Sequence, residues 1–188
     1  RTWVHRLRAS CDAVIVGGGT VRGDDPLLTS RGRRQPEPLR VVLSRRLELP
    51  ASAQLWDQGT AATLVVHGPE APAPARQALD QRDIPRLELE NCSPRALMAA
   101  LATRGCNQVL WECGPELAAA ALRDDCVQEV AAVIAPKLMG GLAARTPLGE
   151  LGFTAMAQVP NWQTLAPQAL GDDWLWRLRP APDGGDLP

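Results

Sequence analysis

Three observations on this 188-residue sequence predict an α/β fold with a mostly parallel central sheet and an antiparallel C-terminal hairpin. Short apolar runs at 13–16, 39–43, 63–66 and 109–111 alternate with helical segments, the pattern of parallel strands buried on both faces and joined by crossovers. The late segments 163–166 and 174–178 flank Gly171-Asp172-Asp173 and read as a closing hairpin. Two of the apolar runs empty into glycine turns, Gly17-Gly18-Gly19-Thr20 and Gly114-Pro115, as strands do when a ligand crevice is built at their carboxyl ends.

Taken in order, residues 1–9 set Trp3, Val4 and Leu7 on one helical face with no capping residue ahead of them, so the chain reads as starting inside a longer one. Strands follow at 13–16, 39–43 and 63–66, then a short helix at 73–82 behind a proline-rich entry and a brief strand at 87–89. Ser93 is the expected N-cap of a helix that starts at Pro94 and runs to about Arg104. A strand at 109–111, a helix at 115–122, a strand rich in β-branched residues at 127–134 and a turn at 136–141 precede the hairpin. Residues 1–180 therefore read as a single domain, and residues 181–188 as a disordered tail.

An apolar fraction of 45% with a net charge of −1 describes an ordinary globular chain, and no basic face argues for nucleic acid. No apolar run approaches a membrane span, and the first residues are not a signal peptide. Five cysteines without a CxxC pair, and two histidines remote from them in sequence, argue against a disulfide scaffold or a metal site and for a reducing cytoplasm.

The chemistry concentrates at the two glycine turns. The first follows a strand as a dinucleotide loop does, although its spacing is not GxGxxG and Pro26 precludes a long helix after it; a tight structural turn is an equal reading. The second strand ends in Ser44-Arg45-Arg46, where a hydroxyl and a guanidinium suit a ribose 2′-phosphate; a solvated basic loop is the alternative. At Gly114-Pro115 a helix start is expected to leave the amides of Glu116, Leu117 and Ala118 unpaired for a pyrophosphate, against the plainer reading of a simple αβ connection. Glu112, at the mouth of the crevice, is placed to accept hydrogen bonds from a ligand or to pair with an arginine. Of the acids Asp24 and Asp25, one is expected to form the local turn. Arg8 and Arg31 are candidates for an anionic substrate; His5, His67 and Lys137 read as structural.

The segments HRLRASCDAVIVGGGTVRGDDPLLTSR, PLRVVLS, WECGPELAAAAL and IAPKLMGG together resemble the reductase domain of bacterial RibD-type riboflavin-biosynthesis proteins. The resemblance implies a dihydrofolate-reductase-like, three-layer αβα fold, frequent dimerisation and NADPH-dependent reduction of 5-amino-6-(5-phosphoribosylamino)uracil to its ribityl counterpart. It assigns Arg8, Arg31, the backbone around Leu27 and Leu28, and Glu112 to the substrate. It assigns Thr20 and Asp24 to the nicotinamide end of the cofactor, Ser44 or Arg45 to the 2′-phosphate, and Gly114, Pro115, Glu116, Leu117, Ala118, Ala119 and Ala120 to the phosphates.

The chain departs from the family at three places. Cys113 stands where many relatives have glycine or alanine; Ser44 stands where aspartate is common; and the family's first strand, with its S-x-D-G pattern, would lie ahead of Arg1. Many relatives carry an N-terminal zinc deaminase domain, whose HxE and PCxxC patterns these residues lack. Asp24 is the expected catalytic proton relay and Glu112 the second candidate, since a carboxylate buried beside the ring would keep its proton to higher pH. The rival readings are a reductase of the same fold acting on another pyrimidine or pterin, an NADH enzyme, and a non-catalytic nucleotide-binding module.

Overall fold

The computed structural model describes residues 1–138, 140 and 146–181. Its centre is β1 (Ala13–Gly17), whose first four residues are buried because the strand has a neighbour on each edge and a helical layer on each face. β2 (Leu39–Leu43), β3 (Thr63–His67) and β4 (Arg86–Glu88) add to one side, and β5 (Val109–Trp111) to the other, in the order β4-β3-β2-β1-β5. All four pairings are parallel, with Ile15 opposite Val41 on one neighbour and Trp111 on the other.

The two-residue period of the strands sorts their side chains into two cores. Val14, Val16, Val42 and Val65 pack with Val21 of α2 (Gly18–Asp24) and Leu79 of α3 (Ala73–Asp80). Ala13, Ile15, Val41 and Leu64 pack with Leu97 and Leu101 of α4 (Pro94–Thr103), and Leu117 of α5 (Pro115–Arg123) lies against the same cluster. The result is the expected three layers. Ser93 caps α4 as expected, its side chain accepting from the amide of Ala96. α1 (Thr2–Ala9) has no side-chain cap, also as expected. Arg40 of β2 is fully buried, and its Nη2 donates to the carbonyls of Leu55 (3.0 Å), Asp57 (2.8 Å) and Ala61 (2.5 Å), which fastens the segment between β2 and β3 to the sheet.

The antiparallel part is a separate sheet. β6 (Val130–Ile134) pairs with β9 (Asp173–Pro180), whose other edge takes β7 (Trp162–Thr164) along its far half and β8 (Gln168–Leu170) along its near half. The single hairpin expected there is therefore built from two strands. β8 makes the tight turn through Gly171, which adopts φ +72°, and β7 pairs beyond it. Two other expectations change. The triple glycine does not stay a turn but begins α2, and the strand expected from 127 begins at Val130. The turn at 136–141 lies partly, and the tail at 181–188 almost wholly, outside the described residues. Among the described residues, no helix is long and apolar enough to cross a membrane.

Candidate functional site

The chain leaves β1 to build β2, β3 and β4 on one side and then returns to place β5 on the other. The reversal makes the gap between the carboxyl ends of β1 and β5 a topological switch point, where connections diverge and a crevice opens. A cleft of about 540 Å³ lies there, lined by Thr20, Asp24, Pro26 and Leu28 from the β1 side and by Trp111, Glu112, Cys113 and Gly114 from the β5 side. Both glycine turns read from the sequence thus meet in one place: a Cβ on Gly114 would stand 3.5 Å from Thr20 Oγ1.

Glu112 forms one wall. Its carboxylate is held from two directions by Arg8 of α1, whose Nε donates to Oε2 at 2.8 Å and whose Nη2 donates to Oε1 at 2.5 Å. Arg8 Nη1 also donates to the Thr29 carbonyl at 2.9 Å, so the guanidinium ties α1, the loop after α2 and the end of β5 together. Glu112 pairs with an arginine, as one of the two sequence readings has it, and also lines the cleft. Arg31 is exposed in the loop after α2 and does not line the cleft; nor does Leu27, whereas Leu28 lines it with its side chain buried and φ at +55°. His5 is held below its ordinary value first by burial and then by the positive charges of Arg8, Arg31 and Arg33.

Asp24 lines the cleft, but it is exposed at the end of α2 and lacks the burial expected of a proton relay. As the last residue of a seven-residue helix it stays open to solvent. Asp25 is the turn former: it caps α2 at φ +39°, and its Oδ1 accepts from the amide of Gln54 at 2.8 Å.

The other side of the site is made of close backbone approaches. A Cβ on Gly17 would meet Leu117 Cδ2 at 3.4 Å, an ordinary contact that shows how near β1 passes to the first turn of α5. Gly114 caps α5 and Pro115 occupies its first position, as expected. One expectation needs correction. The Ala118 amide donates to the Gly114 carbonyl at 3.0 Å, because the cap residue's carbonyl accepts the first intrahelical bond, so only Glu116 and Leu117 keep amides without a helical acceptor. Ala119 is buried against the neighbouring structure, while Ala118 and Ala120 are partly exposed. Ser44 is buried at the end of β2 beside Gly18, and Arg45, with 70% of its side chain exposed, pairs with Glu70 at 3.5 Å; neither lines the cleft.

Sequence reasoning missed three contributors. Pro26 and Trp111 line the cleft, and Gly149 packs on α5, donating its amide to the Pro115 carbonyl at 3.0 Å, where a Cβ would stand a tight 3.2 Å from the same oxygen. Pro26 was legible, since a proline two residues past an acid is fixed against a helix end; Gly149, far from α5 in sequence, carried no signal. Cys113, which lines the cleft, has its thiol pushed up to about 11 by burial and is thus no nucleophile. The cysteines are all free, and among the described residues no group of His, Cys, Asp or Glu side chains is placed to hold a metal.

The comparisons with known proteins agree with this geometry. The family described as the RibD C-terminal domain matches residues 1–176. The chain is 52% identical over 176 residues to the riboflavin biosynthesis protein RibD of Synechocystis sp., covering 94% of this chain and 48% of that protein. Among solved structures it is similar to RibD of Acinetobacter baumannii, with TM-score 0.82, 30% identity, and coverage of 97% of this chain and 50% of that one. It is also similar to a diaminohydroxyphosphoribosylaminopyrimidine deaminase/5-amino-6-(5-phosphoribosylamino)uracil reductase from Thermotoga maritima, with TM-score 0.76, 25% identity, and coverage of 96% and 48%. The chain spans about half the length of these relatives. With a switch-point cleft, the expected dihydrofolate-reductase-like architecture and a family match over nearly its whole length, the chain belongs to the RibD C-terminal domain family.

Proposed function

We propose that the chain is an NADPH-dependent reductase that converts 5-amino-6-(5-phosphoribosylamino)uracil to its ribityl counterpart in riboflavin biosynthesis. The observation that carries this reading is the cleft in which Thr20 and Asp24 face Glu112 and Gly114 across the switch point between β1 and β5. The narrow approach at Gly114 fits a dinucleotide, because a Cβ there would come into contact with Thr20 Oγ1 across the cleft. In this reading Thr20 and Asp24 seat the nicotinamide end, the amides of Glu116 and Leu117 with the α5 dipole take the pyrophosphate, and Ser44 lies toward the 2′-phosphate. When bound, the nicotinamide supplies the hydride.

The protein's own part is positioning and protonation. Glu112, with both oxygens already accepting from Arg8, is fixed in orientation and suits recognition of ring N–H or sugar hydroxyl groups. Arg8 uses three of a guanidinium's five N–H groups on Glu112 and Thr29, which leaves two for substrate. Arg31 anchors the substrate phosphate, and the Leu27–Leu28 backbone lines the same pocket. Asp24 delivers or relays the proton, and its exposure gives it a path to solvent.

The longer relatives suggest the wider setting. The name of the Thermotoga maritima protein joins deaminase and reductase, and a fused or partner deaminase domain fits the half-length coverage. A homodimer fits the apolar face of β6 and β9, where Ile134, Trp174 and Trp176 are 42–51% exposed. A further strand beside β5 or β6 fits their pairing, among the described residues, to one neighbour each. A cytoplasmic setting fits the free thiols.

The test is loss of NADPH absorbance on adding the phosphorylated ribosylaminouracil, run beside its dephosphorylated form and preceded by calorimetric titration of NADPH. Turnover is expected with the phosphorylated compound, and Arg31→Ala is expected mainly to raise its KM, since anchoring a remote phosphate is largely uniform binding. Absence of NADPH binding would sink the reading. Turnover indifferent to the phosphate would move the chain to a different substrate.

A further inference from the structure

We infer that Arg22, acting with the Ser44 hydroxyl, reads the cofactor's 2′-phosphate and so sets the preference for NADPH over NADH. The inference rests on the reductase reading above and deepens it. Arg45, the guanidinium nearest in sequence to Ser44, is engaged by Glu70 at 3.5 Å and is 70% exposed. Arg22 lies differently. From α2 its guanidinium reaches the Glu48 carbonyl, which accepts from Nη1 at 2.6 Å. The same Nη1 lies 3.4 Å from the point where a Cβ of Gly18 would stand, and Ser44 Oγ lies 2.9 Å from that point. Arg22 Nη2 is 4.0 Å from the corresponding point on Gly19.

A guanidinium and a hydroxyl therefore both come close to the glycine start of α2, where no side chain stands between them. The frame around them is rigid. The Ser44 amide donates to the Val66 carbonyl at 2.9 Å, the Gly68 amide to the Arg45 carbonyl at 3.0 Å, and the Leu47 amide to the Ser44 carbonyl at 3.1 Å. Only one of the five N–H groups of Arg22 is taken by Glu48, so the planar fork still matches two oxygens of a phosphate dianion.

The position is also right for a dinucleotide. The sheet runs β2-β1-β5, with Thr20 and Gly114 meeting beyond β1 and β5 and the Arg22–Ser44 pair standing beyond β2 and β1. A molecule laid across the three strand ends with its nicotinamide in the β1–β5 cleft brings its adenosine half over Ser44. The 2′-phosphate, the one group that distinguishes NADPH from NADH, then falls where the guanidinium and hydroxyl meet.

The test is calorimetric titration with 2′,5′-ADP and with 5′-AMP, comparing the wild-type chain with Arg22→Gln and Arg22→Lys and recording each variant's thermal midpoint. Arg22→Gln is expected to weaken 2′,5′-ADP binding by about 10- to 100-fold, the range for losing a charged hydrogen bond, and to leave 5′-AMP binding unmoved. Arg22→Lys, which keeps the charge and loses the fork, is expected to retain part of the preference. An Arg22→Gln variant that binds both probes equally more weakly, or that keeps the wild-type discrimination, overturns the assignment to Arg22 and leaves the NADPH reading standing. A wild-type chain that binds 2′,5′-ADP no better than 5′-AMP overturns both.

Discussion

Glu112 is the residue on which the two sides of the cleft depend. Its oxygens are fixed by Arg8, from a helix 104 residues earlier in the chain, and the same guanidinium reaches the Thr29 carbonyl. Glu112→Gln keeps the shape but replaces one acceptor oxygen with a donor that faces a guanidinium donor. The pair is partly exposed, at 13% for Arg8 and 33% for Glu112, so solvent screens part of the loss. A fall in kcat/KM of about 10-fold, at the low end for charged hydrogen bonds, is the expected result in steady-state assays. Asp24→Asn tests a different role. If its carboxylate relays the proton, kcat should fall by about 10²-fold or more while NADPH binding, read by calorimetry, stays near wild type. Unchanged kcat removes Asp24 from the chemistry and leaves it a wall of the cleft.

At the scale of elements, the close approach of α2 to β2 is the feature most open to test. Gly18→Ala would place a Cβ 2.9 Å from Ser44 Oγ and 3.3 Å from its Cβ, inside a buried site. Alanine gains at most about 1 kcal/mol of helix propensity over glycine, whereas overpacking costs about 1–3 kcal/mol, so the clash should win and the denaturation midpoint should fall. Adding Ser44→Ala removes the nearer of the two atoms, and a double-mutant cycle should then show the two changes coupled. A strictly additive cycle would place the strain elsewhere.

The same element shows how far the sequence could be read. β2 and β5 were legible residue for residue because a short apolar run between polar turns has few alternatives, and the Ser93-Pro94 cap announced α4. α2 was not legible, because three of its seven residues are glycine and local propensity argues against a helix. What overrides it is packing, since a Cβ on Gly18 would stand 2.9 Å from Ser44 Oγ. β8 escaped for the opposite reason: Gln168, Ala169 and Leu170 have no strand pattern of their own and are extended only because β9 pairs with them. In the site, the turns that border the cleft were visible as glycine motifs. The contacts that fix its charged groups, Arg8 to Glu112 and Arg22 to Glu48, join distant segments and leave no local trace.

Over the whole molecule, three carboxylates reinforce the joins between neighbouring segments, each accepting several hydrogen bonds. Asp12 accepts from the amides of Asn107 and Gln108 through Oδ2 and from Arg34 through Oδ1 at 3.0 Å, binding the start of β1 to the start of β5 and to the loop ahead of β2. Arg34 also donates to the Cys11 carbonyl. Glu37 accepts from the amides of Ser30 and Gly32, and Glu129 from Arg177 and Arg179 of β9. Asp12 is held below its ordinary value by the Gln108 and Asn107 amides first and Arg34 next, and Glu129 by Arg177 first. Glu37 is also lowered: burial, the largest influence, pushes it upward and is outweighed by the amides of Gly32 and Ser30. A carboxylate whose folded value is depressed binds its proton more readily in the unfolded chain. Its contribution to stability is therefore complete above the unfolded value, about 4, and is lost as pH falls through the folded one. The carboxylates' share of the thermal midpoint should be level from neutrality down to about pH 5 and then drop. His5, whose folded value is depressed, adds a loss that begins as pH falls through its unfolded value of about 6.5. Asp12→Asn should lower stability at neutral pH and make the acid drop shallower, because the protonation of Asp12 no longer contributes to it. An acid limb identical to wild type in that variant would show that Asp12 does not hold the two ends of the sheet's central strands together.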